Sequence, residues 1–178
     1  LAARRSPTRR LTSISPPVAY EGELVLNRRA VNLYGSLDQT GGRTTFTGPV
    51  RLAYSGGVIS YFEGIDFTGS GGTGISAMSR LHLTNCRLSE WDTAIFCSES
   101  AWVNADQCIF SDNGVGLHID NAEPNISDSR FEGNTFVLLE QVGVEMLLKF
   151  PVTLFSGNGT DIDNRCGQEL ELDRTFFQ

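Results

Sequence analysis

One large apolar position recurs along this chain every twenty-odd residues. It closes the segments Gly64-Ile65-Asp66-Phe67, Asn85-Cys86-Arg87-Leu88, Gln107-Cys108-Ile109-Phe110, Asp128-Ser129-Arg130-Phe131 and Val152-Thr153-Leu154-Phe155. The anchors Phe67, Leu88, Phe110, Phe131 and Phe155 are 21, 22, 21 and 24 residues apart, and Phe177 follows 22 residues later. An earlier copy is expected at Val31–Ser36, with Leu33 standing 34 residues before Phe67. That coil must carry a loop, and Asp38–Arg43, with Gly41 and Gly42, has the turn chemistry for one.

Each copy holds three apolar pulses. Leu81 and Leu83 lead into Cys86 and Leu88, then Ile95; Val103 and Ala105 lead into Cys108 and Phe110, then Leu117. Ile126, Ser129, Phe131 and Leu138 continue the series, and Ile162 follows Phe155. Alternation by two is the period of a strand, not of a helix. One such coil cannot bury its apolar side alone, so coils must stack. The spacing predicts an all-β, single-stranded parallel solenoid of about six coils with three short strands in each. A leucine-rich repeat has a similar period, but Asp112–Gly116 and Ser156–Thr160 are turn formers where that fold needs helix.

Three residues past the anchors stand Asn113, Asn134 and Asn158, with Trp91 interrupting the row. Asn tolerates left-handed backbone, and stacked amides can bond along a row. With its inward stacks and Asn row, the segment from Glu23 to Gln178 resembles the pectate-lyase-like family of right-handed parallel β-helices. The resemblance implies a right-handed coil and, in enzymes of that fold, catalysis on the outward face of one sheet. Lyases there use carboxylates that hold calcium plus an arginine base; hydrolases use paired or tripled aspartates, and esterases two aspartates near a glutamine. Here the outward row beside the anchors reads Asp66, Arg87, Ile109, Arg130 and Leu154. Two arginines with one acid do not make a calcium cage, so Asp66, Arg87 and Arg130 are only the least unsuitable catalytic residues. One turn back, Glu63, Thr84, Asp106 and Ser127 put two acids ~10 Å apart, near the upper limit for an inverting pair. A solvated face is the better reading.

A second outward row is expected eight residues past the anchors: Phe96, His118, Leu139 and Asp163, with Trp91 in the turn and Trp102 opening the next strand. Exposed aromatic groups on a rigid sheet can stack on sugars or anchor a protein, so Trp91, Phe96, Trp102 and His118 are the expected ligand-binding residues. The competing expectation is that the insertion Glu140–Leu148 folds over this face and covers Phe96 and Leu139. His82, outward between Leu81 and Leu83, reads as an ordinary surface residue. Cys86 and Cys108 share one inward position in neighbouring coils and read as core fillers. Cys97 and Cys166 are isolated, with no Cys-x-x-Cys spacing for a metal, and uncommitted thiols favour a reducing setting. The acceptor patterns at Asn125 and Asn158 read as chance matches.

The net charge of -7 is unevenly placed. Arg4, Arg5, Arg9 and Arg10 open the chain, and without them ten bases face twenty-one acids, a body near -11. Such a body repels nucleic acid and anionic lipid. Residues 1–20 read as a basic Ser/Pro/Arg linker and 21–178 as the solenoid domain. No apolar run suffices to cross a bilayer, the best, Phe136–Phe155, being cut by Glu140, Glu145 and Lys149. The opening Leu reads as a piece of a longer protein. The expected role is a non-catalytic recognition or surface module of a larger bacterial protein, extracellular or at the cell surface, binding glycan or protein without cofactor or metal. The alternatives are a small polysaccharide lyase or hydrolase, and a structural spacer that associates end to end or edge to edge.

Overall fold

The computed structural model is an all-β solenoid. It describes residues 11–14, 18–53, 58–99, 101–141 and 148–178, with 11–14 and 141 by backbone alone. Three parallel sheets hold eight, eight and seven strands, and successive strands of the chain belong to successive sheets. The first sheet stacks Leu11–Ile14, Val31–Tyr34, Ile59–Glu63, Arg80–Thr84, Trp102–Asp106, Glu123–Ser127, Leu148–Lys149 and Leu170–Glu171. The second carries the anchors, from Ala19–Tyr20 and Thr44–Phe46 to Phe176–Phe177. The third runs from Leu24–Leu26 to Thr160–Asn164.

The stack amounts to about seven coils rather than six. Part of the difference lies in the segment expected as linker. Leu11–Ile14 pairs in register with Val31–Tyr34, and Ala19 and Tyr20 pair with Thr45 and Phe46. Residues 1–10, with their arginines, lie outside the described residues. The rest comes from a misplaced copy. Leu33 pairs with Phe62 in the first sheet, and the anchor before Phe67 is Phe46. The expected loop is present between them as a small hairpin, bridged at Leu37 and Arg43. Asp38 holds its turn by accepting bonds from the Thr40 hydroxyl at 2.8 Å and from the Gly42 and Thr40 backbone amides, both at 2.7 Å, and these donors, the hydroxyl foremost, lower its pKa.

Inward rows make the core. Phe46, Phe67, Leu88, Phe110, Phe131 and Phe155 stand side by side, all buried. Phe110, Phe131 and Phe155 stack nearly parallel, with ring centroids 4.5 and 5.0 Å apart. Cys86 and Cys108 lie in the inward row alongside as free thiols, not a disulfide. Cys108's hydrogen bond with Cys86, then burial, holds its thiol well above the usual range.

Both corners flanking the anchor strand turn through one left-handed residue. Gly64, Asn85, Gln107, Asp128 and Val152 occupy the first corner; Glu90, Asp112, Gly133 and Gly157 occupy the second. The ladder asparagines therefore sit one residue after the strained position and are kept for their amides. Asn113, Asn134 and Asn158 each donate from Nδ2 to the anchor carbonyl one coil back, those of Leu88, Phe110 and Phe131, at 2.9–3.0 Å. Their Oδ1 atoms accept from the backbone N–H of Trp91, Asn113 and Asn134. Trp91 does not break this row but ends it. Its indole N–H donates to the Phe67 carbonyl at 3.1 Å, the same bond in the same place. An indole has no acceptor, so no further amide can follow. Room for the ring comes from Gly69, where a Cβ would overlap the indole.

Candidate ligand-binding face

Three outward rows cover the first sheet. Along the middle of the strands run Tyr61, His82, Asn104, Asn125 and Lys149, in register from coil to coil. On one flank lie Ile59, Arg80, Trp102 and Glu123, and on the other Glu63, Thr84, Asp106 and Ser127. Strand pleat separates neighbouring rows by about 6–7 Å.

The middle row is a ladder of flat polar groups. Tyr61 stacks on the His82 ring at 5.2 Å. On the other face of that ring lies the Asn104 amide, whose Nδ2 is 3.1 Å from Nδ1 and 3.3 Å from Nε2. Two near-equal distances place the amide nitrogen over the ring, not on either lone pair. Asn125 Nδ2 then donates to Asn104 Oδ1 at 2.8 Å. Beyond it, the Lys149 ammonium pairs with Glu171 at 3.1 Å. Beside the ladder, Ile59, Arg80, Trp102 and Glu123 line a shallow groove of about 340 Å³. Stacking surface and hydrogen-bonding edges thus share one rigid face, as recognition of a flat, hydroxyl-rich ligand requires.

Residues 43–167 match the family model for the right handed beta helix region. The chain belongs to that family. No curated protein and no solved structure matches it.

Within this β-helix the expected catalytic residues fall in the expected row, with Asp66, Arg87, Ile109, Arg130 and Leu154 in register. They do not converge. Asp66 is held by Arg43 at 2.6 Å, with both side chains largely buried, and Arg43 also donates to the Asn85 carbonyl. Arg130 turns to Glu132 at 2.6 Å in solvent, and Ile109 separates it from Arg87. In the row one turn back, Asp106 accepts from the Ser127 hydroxyl at 2.8 Å. Among the described residues no three His, Cys, Asp or Glu side chains gather where they could hold a metal. No helix among them is long and apolar enough to cross a membrane.

The expected ligand-binding residues divide. Trp91 is buried and committed to the ladder, so it presents no surface. Trp102 is half-buried on the first sheet, where it lines the groove. Phe96 and His118 pair in the third sheet, edge to face at 4.9 Å, and His118 Nε2 meets Glu140 Oε2 at 2.8 Å. Leu139, expected outward, points inward and is fully buried. A bulge in Val115–Asp120 shifts the register there, so that Leu138 stands opposite His118. The insertion expected to fold over this face lies for the most part, at 142–147, outside the described residues. Tyr61, Asn104 and Asn125 were not anticipated. Their signal was available: Asn104 lies between Val103 and Ala105, and Asn125 between Pro124 and Ile126, as His82 lies between Leu81 and Leu83.

Proposed function

We propose that this β-helix is a non-catalytic recognition module that holds a glycan along the outer face of its first sheet. The observation that carries the reading is the ladder Tyr61–His82–Asn104–Asn125 beside the Trp102 groove. A sugar ring has an apolar face that packs on aromatic rings and hydroxyls at its edge that bond amides. Neighbouring strands lie ~4.8 Å apart, so an extended glycan laid across them would meet the same row of side chains coil after coil. The acidic body favours a neutral or amino-bearing glycan over an acidic one. The candidate catalytic groups, tied into ion pairs at Asp66 and Arg130, support binding without turnover.

The test uses tryptophan emission. Trp102 lies on the face and Trp91 in the core, so a bound neutral or amino-bearing oligosaccharide should change the Trp102 signal alone. Titrated by calorimetry, which needs no tryptophan reporter, Trp102→Ala should weaken binding on the order of thirtyfold, the loss of a central aromatic anchor, while Phe96→Ala should leave it unchanged. Equal loss from Phe96→Ala, or saccharide turnover abolished by Arg87→Ala, overturns the proposal.

A further inference from the structure

We infer that His82 sets the hydrogen-bond polarity of the first-sheet face, so that protonation of this one ring inverts which ligand groups the ladder accepts. The inference rests on the reading of that face as the recognition surface. In the present arrangement the ladder points one way. Asn125 donates to Asn104 Oδ1, and Asn104 turns its Nδ2 onto the His82 ring. The electron-rich face of a neutral imidazole receives an N–H edge well. A protonated ring reverses the sign: it repels the amide hydrogens and attracts an oxygen. On its other side the Tyr61 ring, stacked at 5.2 Å, stabilises the cation through its own face.

Asn104 then has reason to turn over, presenting Oδ1 to His82 and Nδ2 to Asn125. Two facing N–H edges cannot persist, so Asn125 must turn as well and accept from Asn104. Its outer edge changes from a carbonyl oxygen to an amide N–H₂. The two states differ by one proton and the two amide rotations it drives, yet they select opposite partners: a donor hydroxyl or ammonium when His82 is neutral, an acceptor oxygen when it is charged.

Imidazole exchanges its proton within the physiological range, and the strands packed around His82 bring charges of both signs. Glu63 lies on the strand before and Asp106 on the strand after, while Arg80 lies on its own strand. Tyr61 is the titratable group directly paired with it, and Lys149 follows Asn125.

The experiment follows the side-chain amide signals of Asn104 and Asn125 by NMR in the full chain, together with the ring signals of His82, from about pH 5 to 8. Both amides should shift with the midpoint of His82, and His82→Gln should make both independent of pH. Amides that stay still while His82 titrates, or that move equally in His82→Gln, overturn the inference. In binding, affinity for a hydroxyl-donating oligosaccharide should fall on the order of tenfold as His82 protonates, the loss of one matched hydrogen bond. If no glycan binds but the amides follow His82, the functional proposal fails and the coupling stands. If glycan binds while the amides are static, the reverse holds.

Discussion

Asn134 is the most demanding test of how this solenoid is held. Its side chain sits 2% exposed in the corner between the second and third sheets. Replacing it with alanine removes the acceptor for the Asn113 backbone N–H, now 3.2 Å away, and the donor to the Phe110 carbonyl at 2.9 Å. The Asn113 amide keeps Leu88 and the Asn158 oxygen keeps the Asn134 N–H, so the heaviest loss is the buried Asn113 N–H. An unsatisfied buried donor costs about 1–3 kcal/mol, and the lost carbonyl contact about 1 more. A total of about 2–4 kcal/mol corresponds to a Tm lower by roughly 5–15 °C for a chain of this size. Asn134→Asp separates hydrogen bonding from shape. The carboxylate keeps an acceptor for Asn113 but faces the Phe110 carbonyl, so its folded pKa lies above the unfolded value of ~3.9. The folded state then binds the extra proton, and stability is fullest below that unfolded value and lost as pH rises through the folded one. Thermal melts at several pH values, with amide exchange at Asn113, read both effects. A Tm lowered by less than about 2 °C in Asn134→Ala would refute the reasoning.

Other substitutions probe single contacts. Val152 is a β-branched residue at a φ of 58°, so Val152→Gly should raise stability by about 1 kcal/mol, measured by denaturant midpoint. Arg43→Ala leaves the Asp66 carboxylate and the Asn85 carbonyl without their partner and should cost about 2–3 kcal/mol; Arg130→Ala, in solvent, should stay within about 0.5. Gly69→Ala should force Trp91 out of place and expose it to acrylamide quenching. Burial pushes the Cys97 thiol up, and with Cys86 and Cys108 also enclosed, iodoacetamide should label Cys166 alone in the native chain and all four after denaturation.

What the sequence revealed follows from what stacking conserves in a chain. Inward rows must be apolar in every coil, so anchors 21 or 22 residues apart announced Phe67, Leu88, Phe110 and Phe131 as neighbours. The amide row was equally plain at Asn113, Asn134 and Asn158. Its donor at Trp91 was hidden because an indole looks nothing like an amide until both are seen to bond the same carbonyl. Leu139 was misplaced because a count of eight from the anchor assumes an unbroken ladder, and the bulge breaks it. Leu11–Ile14 escaped notice because it joins by backbone pairing amid arginine and proline. The candidate face was harder still. Outward positions carry no apolar pattern, so His82 read as solitary until register set it between Tyr61 and Asn104.

Coil-on-coil register is what every site described above depends on, and aromatic NMR contacts measure it directly. Through-space signals should join the ring of Phe110 to that of Phe131, and Phe131 to Phe155, at centroid separations of 4.5 and 5.0 Å. Rings that touch only residues close to them in sequence would contradict the solenoid and everything placed upon it.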